Sequence, residues 1–167
     1  LILLCAGSGG KTGWVNPFAF VRAVREFYDG LVVLAGSISD GISIRAAQVL
    51  GSDLVYMGTR FIATEESMAV PEYKEMVLAA TMDDIVTTRA FTGLMTNFLR
   101  SSIVAAGFDP ERLPEYETFE QSEHRKKRWR DIWSAGQGVG ASKQIVPVCR
   151  LVQQLCEEYE GTNCSSL

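Results

Sequence analysis

Three short apolar runs, each followed by a glycine-bearing loop, constrain this chain more than any other feature. They are Leu1 to Ala6, Leu31 to Ala35 and Leu54 to Met57. The apolar residues occupy consecutive rather than alternate positions, which suits strands covered on both faces, as in a parallel sheet. Helical patterns lie between the runs. Asn16-Pro17 supplies an N-cap and a first-turn proline for a helix from Pro17 to Tyr28. That helix carries Phe20, Val21, Val24, Phe27 and Tyr28 on one side and ends at Asp29-Gly30. A second helix follows Asp40, carries Ile44, Ala47 and Leu50, and stops at Gly51. Strand, helix, strand, helix, strand implies right-handed crossovers and loops that leave the same edge of one sheet.

The three loops are Gly7-Ser8-Gly9-Gly10-Lys11-Thr12-Gly13, Ala35-Gly36-Ser37-Ile38-Ser39-Asp40-Gly41 and Met57-Gly58-Thr59-Arg60. Glycines let a backbone turn sharply and approach a ligand without interference from Cβ. Loops at the carboxyl ends of parallel strands are where α/β proteins hold phosphates, using backbone N–H groups. The first loop invites a P-loop reading through its Gly-Gly-Lys-Thr. That reading fails at Cys5, where the opening glycine belongs. It fails again after Thr12, where Gly13-Trp14-Val15 stands in place of a helix. A phosphorylated cofactor held by three consecutive loops fits better than a nucleoside triphosphate.

Composition narrows the partners. The chain has 167 residues, 47% of them hydrophobic, and a net charge of −4. One globular domain is expected, and the mild acidity argues against nucleic acid as the main partner. No apolar stretch approaches the ~20 residues of a membrane span, and no secretory signal is visible. Cys5, Cys149, Cys156 and Cys164 show no C-x-x-C spacing, and His124 is the one histidine, so no metal site is expected. Reduced thiols and a cytoplasmic protein are the plain reading. The chain opens inside a strand-like run without a methionine, and three strands leave two apolar sheet edges exposed. An α/β unit larger than this chain is therefore expected.

Beyond the third loop the pattern turns helical. Met68 to Ala80, Ser101 to Ala106, Phe119 to Ser134 and Val146 to Glu160 read as helices. Pro147 is expected at the start of the last, with a packing stripe of Val148, Leu151, Val152 and Leu155. Asp83 to Thr88 is ambiguous, Pro110 to Pro114 reads as a loop, and Gly161 to Leu167 as a frayed tail. The basic run from His124 to Arg130 follows Glu117, Glu120 and Glu123 and reads as a solvated helix face. His124 is expected at the surface, with Trp129, Ile132 and Trp133 in the core. Thr92 to Arg100 offers Asn97 and Arg100 as polar groups whose roles the sequence leaves open. Ala135 to Gly140 reads equally as a cover over a site or as a helix-ending loop.

The chain resembles the nitronate monooxygenase (2-nitropropane dioxygenase-like) flavoproteins. The resemblance rests on Ala-Gly-x-Gly-Gly-x-x-Gly at 6 to 13, Leu-Ala-Gly-Ser-Ile-Ser-Asp-Gly at 34 to 41, Met-Gly-Thr-Arg-Phe-Ile-Ala-Thr-Glu-Glu-Ser at 57 to 67, and Ala-Gly-Gln-Gly-Val-Gly at 135 to 140. It implies a TIM (β/α)8 barrel that binds FMN. Residues 1–90 would be C-terminal βα units of that barrel, and 91–167 a helical extension packing on it. It further implies oxidation of alkyl nitronates with O2, or NAD(P)H-linked reduction in some relatives. Carried across, Gly9 and Gly10 line the flavin. Gly36 and Ser37, with Gly58 and Thr59, would give N–H groups to the FMN phosphate, and Met57 would be a further cofactor-binding residue. Arg60 reads either as a neutraliser of that phosphate or as a surface ion-pairing residue.

Lys11 departs from the family pattern, which often has a histidine base in this slot. Imidazole suits proton abstraction because it titrates near neutrality. A primary ammonium holds its proton at neutral pH. Lys11 is therefore expected as a fixed positive charge that stabilises a substrate or flavin anion. Alternatives that fit a site without the histidine are an NAD(P)H-dependent flavin reductase of the quinone or enoyl type and a non-catalytic fragment that binds FMN or phosphate.

Overall fold

The computed structural model describes residues 1–162. Its strands and helices follow in chain order as β1 (Ile2–Leu4), β2 (Gly10–Lys11), α1 (Pro17–Arg25), β3 (Val33–Ala35), α2 (Gly41–Leu50), β4 (Leu54–Tyr56), α3 (Thr59–Ile62), α4 (Pro71–Ala79), β5 (Ile85–Thr88), β6 (Thr96–Leu99), α5 (Arg100–Ala105), α6 (Tyr116–Gln121) and α7 (Val148–Gly161). Strands β1, β3 and β4 form a parallel sheet in that order. The alternation with α1 and α2 is the one read from the three apolar runs.

The sheet is covered on one face, not two. Leu3 and Leu34 point into a core with Cys5, Val21, Val24, Val32 and Ala47, and Val55 packs against its margin. The rows Ile2–Val33–Leu54 and Leu4–Ala35–Tyr56 lie on the opposite face. There Ile2, Leu4, Leu54 and Tyr56 remain exposed. Consecutive apolar residues in these strands thus serve two faces, and this chain supplies cover for one.

Helix α1 begins as expected, with the Asn16 side chain accepting the Ala19 N–H at 3.0 Å and Pro17 in the first turn. It ends at Arg25, before the expected Tyr28. The Arg25 guanidinium donates to the carbonyls of Gly51 and Gly30, each at 2.7 Å, and to that of Tyr28 at 3.1 Å. It also pairs with Asp53 at 2.6 Å. These bonds draw the following residues away from the helix axis, and Phe27 is left exposed. Helix α2 starts on a reciprocal cap between Asp40 and Ser43 and stops at Gly51, whose φ of 113° is the left-handed form that glycine tolerates.

A second sheet, β2-β6-β5, is antiparallel. The sequence expected neither β2 nor β6, and the ambiguous segment at 83–88 resolves into a 3-10 turn at Met82–Asp84 followed by β5. One side chain cluster here combines Phe91, Phe98, Ile103, Phe119 and Ile132. Another joins Ala63, Val77, Leu99, Ala135 and Val139.

The long helix expected over 119–134 is broken. Helix α6 ends at Gln121, the Ser122 side chain accepts the N–H of His124 at 3.2 Å, and a 3-10 turn covers Glu123–Lys127. Trp129 has a φ of 66° and is half exposed, while Ile132 is buried as expected. The basic run is solvated and partly paired, with Arg128 2.9 Å from Glu120 and Lys126 3.8 Å from Glu123. His124 is exposed and packs edge-on against Phe108. Helix α7 begins at Val148, one residue past Pro147, and buries Leu151 and Leu155 but not Val152. Residues 163–167, including Cys164 and most of the expected frayed tail, lie outside the described residues. Among the described residues no helix is long and apolar enough to cross a membrane.

Candidate functional site

The loops after β1, β3 and β4 meet at the carboxyl edge of the parallel sheet around a hollow of about 260 Å³. Its lining includes Gly7, Ser8 and Gly9 from the first loop, Gly36, Ser37 and Ile38 from the second, and Gly58 and Thr59 from the third. Leu4, Ala35 and Tyr56, one row across the sheet, form its floor. Ser134, Gly136 and Gly138 close one side. The segment 135–140, which the sequence read two ways, is therefore part of the wall.

Backbone packed against backbone explains the glycines. A Cβ on Gly9 would stand 2.8 Å from the Gly136 nitrogen, and one on Gly136 would stand 2.7 Å from the Gly7 carbonyl. Such distances are closer than side chains tolerate, so the first loop and the 136 segment touch only because both are glycine. The contact is fastened by the Gln137 N–H donating to Gly7 O at 3.0 Å and the Gly136 N–H donating to the Thr59 hydroxyl at 2.9 Å. Gly36 has a φ of 136°, and Ser37, with a φ of 56°, is in the left-handed region despite its side chain. Both residues line the hollow, and loop N–H groups left without a protein acceptor suit an anion.

The cradle fits a phosphorylated group. Among the described residues no acceptor takes the N–H of Gly36, Ser37, Gly58 or Thr59. A Cβ added to Gly58 would meet nothing within 4 Å, so that glycine leaves open space over the third loop. Arg60 does not line the hollow. It is buried, and its guanidinium donates to the Ala141 carbonyl. Burial lowers its pKa, with Glu158 and Asp40 opposing. It anchors the 137–141 turn, which is neither of the roles its sequence position suggested.

Gly10, Lys11 and Met57 stand apart from the lining. Gly10 has a φ of 71° and pairs with Asn97, and Lys11 pairs with Thr96. The P-loop reading fails structurally too, because Lys11 sits in a strand. Lys11 is exposed and lines a neighbouring hollow with Thr12 and Arg89. Met57 is half-buried at the end of β4.

Asn97 is the residue that sequence reasoning left without a role. It is 1% exposed. Its Nδ2 donates to the Ser8 carbonyl at 2.7 Å and its Oδ1 accepts from the Thr87 hydroxyl. It fixes the first glycine loop from behind. Only the pairing of β2 with β6 brings it there, and no sequence signal announces that pairing. Ser8 adds a second restraint, its hydroxyl 2.9 Å from the Cys5 carbonyl and 3.0 Å from that of Ala35. Among the described residues no cluster of His, Cys, Asp and Glu could hold a metal ion.

The nitronate monooxygenase family model matches residues 1–158. A nitronate monooxygenase of Paraburkholderia phytofirmans is 31% identical over 121 residues, which is 67% of this chain and 33% of that protein. The structure of FabK from Thermotoga maritima superposes with a TM-score of 0.77 at 30% identity, covering 96% of this chain and 54% of that one. Nitroalkane oxidase from Streptomyces ansochromogenes superposes with a TM-score of 0.76 at 26% identity, covering 96% and 51%. The matched segments span between 26% and 44% of the length of such curated relatives. The likeness carries the fold, in which the α/β units are those of a TIM barrel. With a family model matched along almost the whole chain, this chain belongs to the nitronate monooxygenase family.

Proposed function

We propose that the protein of which these residues form part is an FMN-dependent oxidoreductase that oxidises alkyl nitronates with O2. The observation that carries the reading is the hollow bounded by three glycine loops, where the N–H groups of Gly36, Ser37, Gly58 and Thr59 have no acceptor among the described residues. Those N–H groups would hold the FMN phosphate, with Gly9 along the flavin and with Gly10 and Met57, which lie outside the lining of the hollow, bordering the cofactor where it extends past it. Bound FMN would supply the two-electron oxidation and the reaction with O2. The work left to the chain is to position substrate and to stabilise charge. Lys11 serves as a fixed positive charge toward an anionic substrate rather than as a base. Residues 1–90 act as βα units of the FMN barrel and 91–167 as the extension packed on it, in a cytoplasmic protein with small-molecule partners.

The lysine itself favours a second reading, an NAD(P)H-dependent reductase of the quinone or enoyl type, because a carbon acid would otherwise lack its base. The visible spectrum of the purified full-length protein tests the cofactor. Absence of a flavin band, with no FMN uptake on titration, overturns the reading. Lys11→His should raise turnover of the neutral nitroalkane, the carbon acid whose proton a base removes, by about a hundredfold at equal FMN occupancy, the lower end of what a positioned base contributes. Unchanged turnover, with rapid flavin bleaching by NAD(P)H, would select the reductase.

A further inference from the structure

Beside the glycine cradle, on the other side of β2, lies a second hollow of about 360 Å³ lined by Lys11, Thr12, Arg89, Gly93, Leu94 and Met95. It shares no lining residue with the cradle. Its lining holds two cations and no acid. Among the described residues neither the Lys11 ammonium nor the Arg89 guanidinium has an ion-pair or hydrogen-bond partner. Arg25 pairs with Asp53, Arg100 with Glu111, Arg128 with Glu120 and Arg130 with Asp131, whereas Arg112 and Arg125 share with Arg89 the absence of a side-chain partner among the described residues.

From this arrangement we infer that Lys11 and Arg89 form an oxyanion subsite, which takes a phosphate or carboxylate substituent of the substrate at a place separate from the flavin phosphate. The inference rests on the proposed role of Lys11 as a fixed charge and extends it to a class of substrate.

Regular backbone holds both cations. Lys11 is in register with Thr96 of β6, and Thr96 is in register with Thr88, the residue before Arg89. The Arg89 carbonyl accepts the N–H groups of Thr92 and Gly93, which closes the turn beneath the hollow. The Thr12 N–H donates to the Met95 carbonyl at 3.0 Å and fixes the opposite rim. A hollow lined by one sign of charge concentrates the opposite sign even in a protein of net negative charge. The guanidinium offers a planar fork that bonds two oxygens at once, and the ammonium adds a point charge. Leu94 and Met95 give an apolar surface for the carbon skeleton next to the anion. Arg89 and Gly93 also line an adjoining hollow that holds Glu115 and Glu117, neither of which makes an ion pair with Arg89.

Calorimetric titration of the full-length protein with inorganic phosphate, and separately with succinate, tests the subsite at fixed ionic strength, with and without saturating FMN. The result expected is binding of one or both anions in the presence of FMN, weakened at least about tenfold by Arg89→Gln and less by Arg89→Lys, with FMN affinity unchanged in both variants. The tighter anion identifies phosphate or carboxylate as the group recognised. No anion binding under FMN saturation, or binding that Arg89→Gln leaves intact, overturns the inference. A thermal melt of each variant separates loss of the subsite from loss of the fold. Arg89-dependent anion binding by a protein that takes up no FMN would sink the flavin reading and leave the subsite standing.

Discussion

At the scale of single residues, Asn97 shows how a buried amide serves a ligand it does not touch. Its two bonds, to the Ser8 carbonyl and from the Thr87 hydroxyl, hold the first glycine loop at the height where that loop meets Gly136. Asn97→Leu leaves the carbonyl of buried Ser8 without its donor, while the exposed Thr87 turns to water, and the lost bond costs about 1–3 kcal/mol by chemical denaturation. FMN affinity should fall about tenfold or more, whereas Thr87→Val, which removes the outer partner, should change it little. Cys5 makes a prediction in pH. Burial pushes its thiol from an ordinary value of 9.0 up to about 11. Below pH 9 the folded and unfolded states both carry the proton. Between pH 9 and 11 the unfolded thiol ionises while the buried one does not, so stability falls as pH rises through that window, by on the order of 2 kcal/mol. Cys5→Ala should flatten that part of the stability–pH curve, and native Cys5 should resist alkylating reagents that label the exposed Cys149 and Cys156.

At the scale of elements, the contact between α2 and α7 depends on Gly41. A Cβ there would stand 2.5 Å from the Leu155 carbonyl oxygen and 2.6 Å from the Glu158 carbonyl carbon. The Gly41 N–H donates to the Glu158 carboxylate at 2.8 Å, and the Arg45 guanidinium lies 3.9 Å from the centre of the Tyr159 ring. Gly41→Leu should push α7 away and cost about 1–3 kcal/mol in thermal or chemical denaturation, the usual range for overpacking. Helices with local punctuation were legible in the sequence. Asn16-Pro17 and Asp40 with Gly51 mark α1 and α2 because caps act through neighbouring residues. The break in the segment 119–134 was not legible, because Ser122 and the Trp129 turn interrupt a pattern that otherwise keeps helical spacing. Strands β2 and β6 escaped for another reason. Two residues of β2 carry no periodicity, and β6 is buried along its whole length, so neither alternates. The cradle glycines were legible as a group, since each loop follows an apolar run. The displacement of Lys11 into a separate hollow was not, since it depends on β2 pairing with a strand more than eighty residues later.

For the whole molecule, one face of the parallel sheet carries Ile2, Leu4, Leu54 and Tyr56 together and exposed. Contiguous apolar patches of this kind mark surfaces that associate. The 167-residue chain on its own should bind the dye ANS and self-associate with concentration, and Ile2→Lys with Leu54→Lys should reduce both without changing helical circular dichroism. Unaltered dye binding in that double variant would show that the patch lies elsewhere. The antiparallel sheet has a different consequence for the molecule as a whole. Strand β2 is the seam between the two hollows, with Gly9 on one side and Lys11 on the other, and it is stitched to β6 at Asn97 and Thr96. A shift of β6 is then a shift of both compartments together. Occupancy of one should be felt in the other through two residues of backbone, and hydrogen exchange at the Thr12 amide, which is bonded to the Met95 carbonyl, is the natural reporter of that shared hinge.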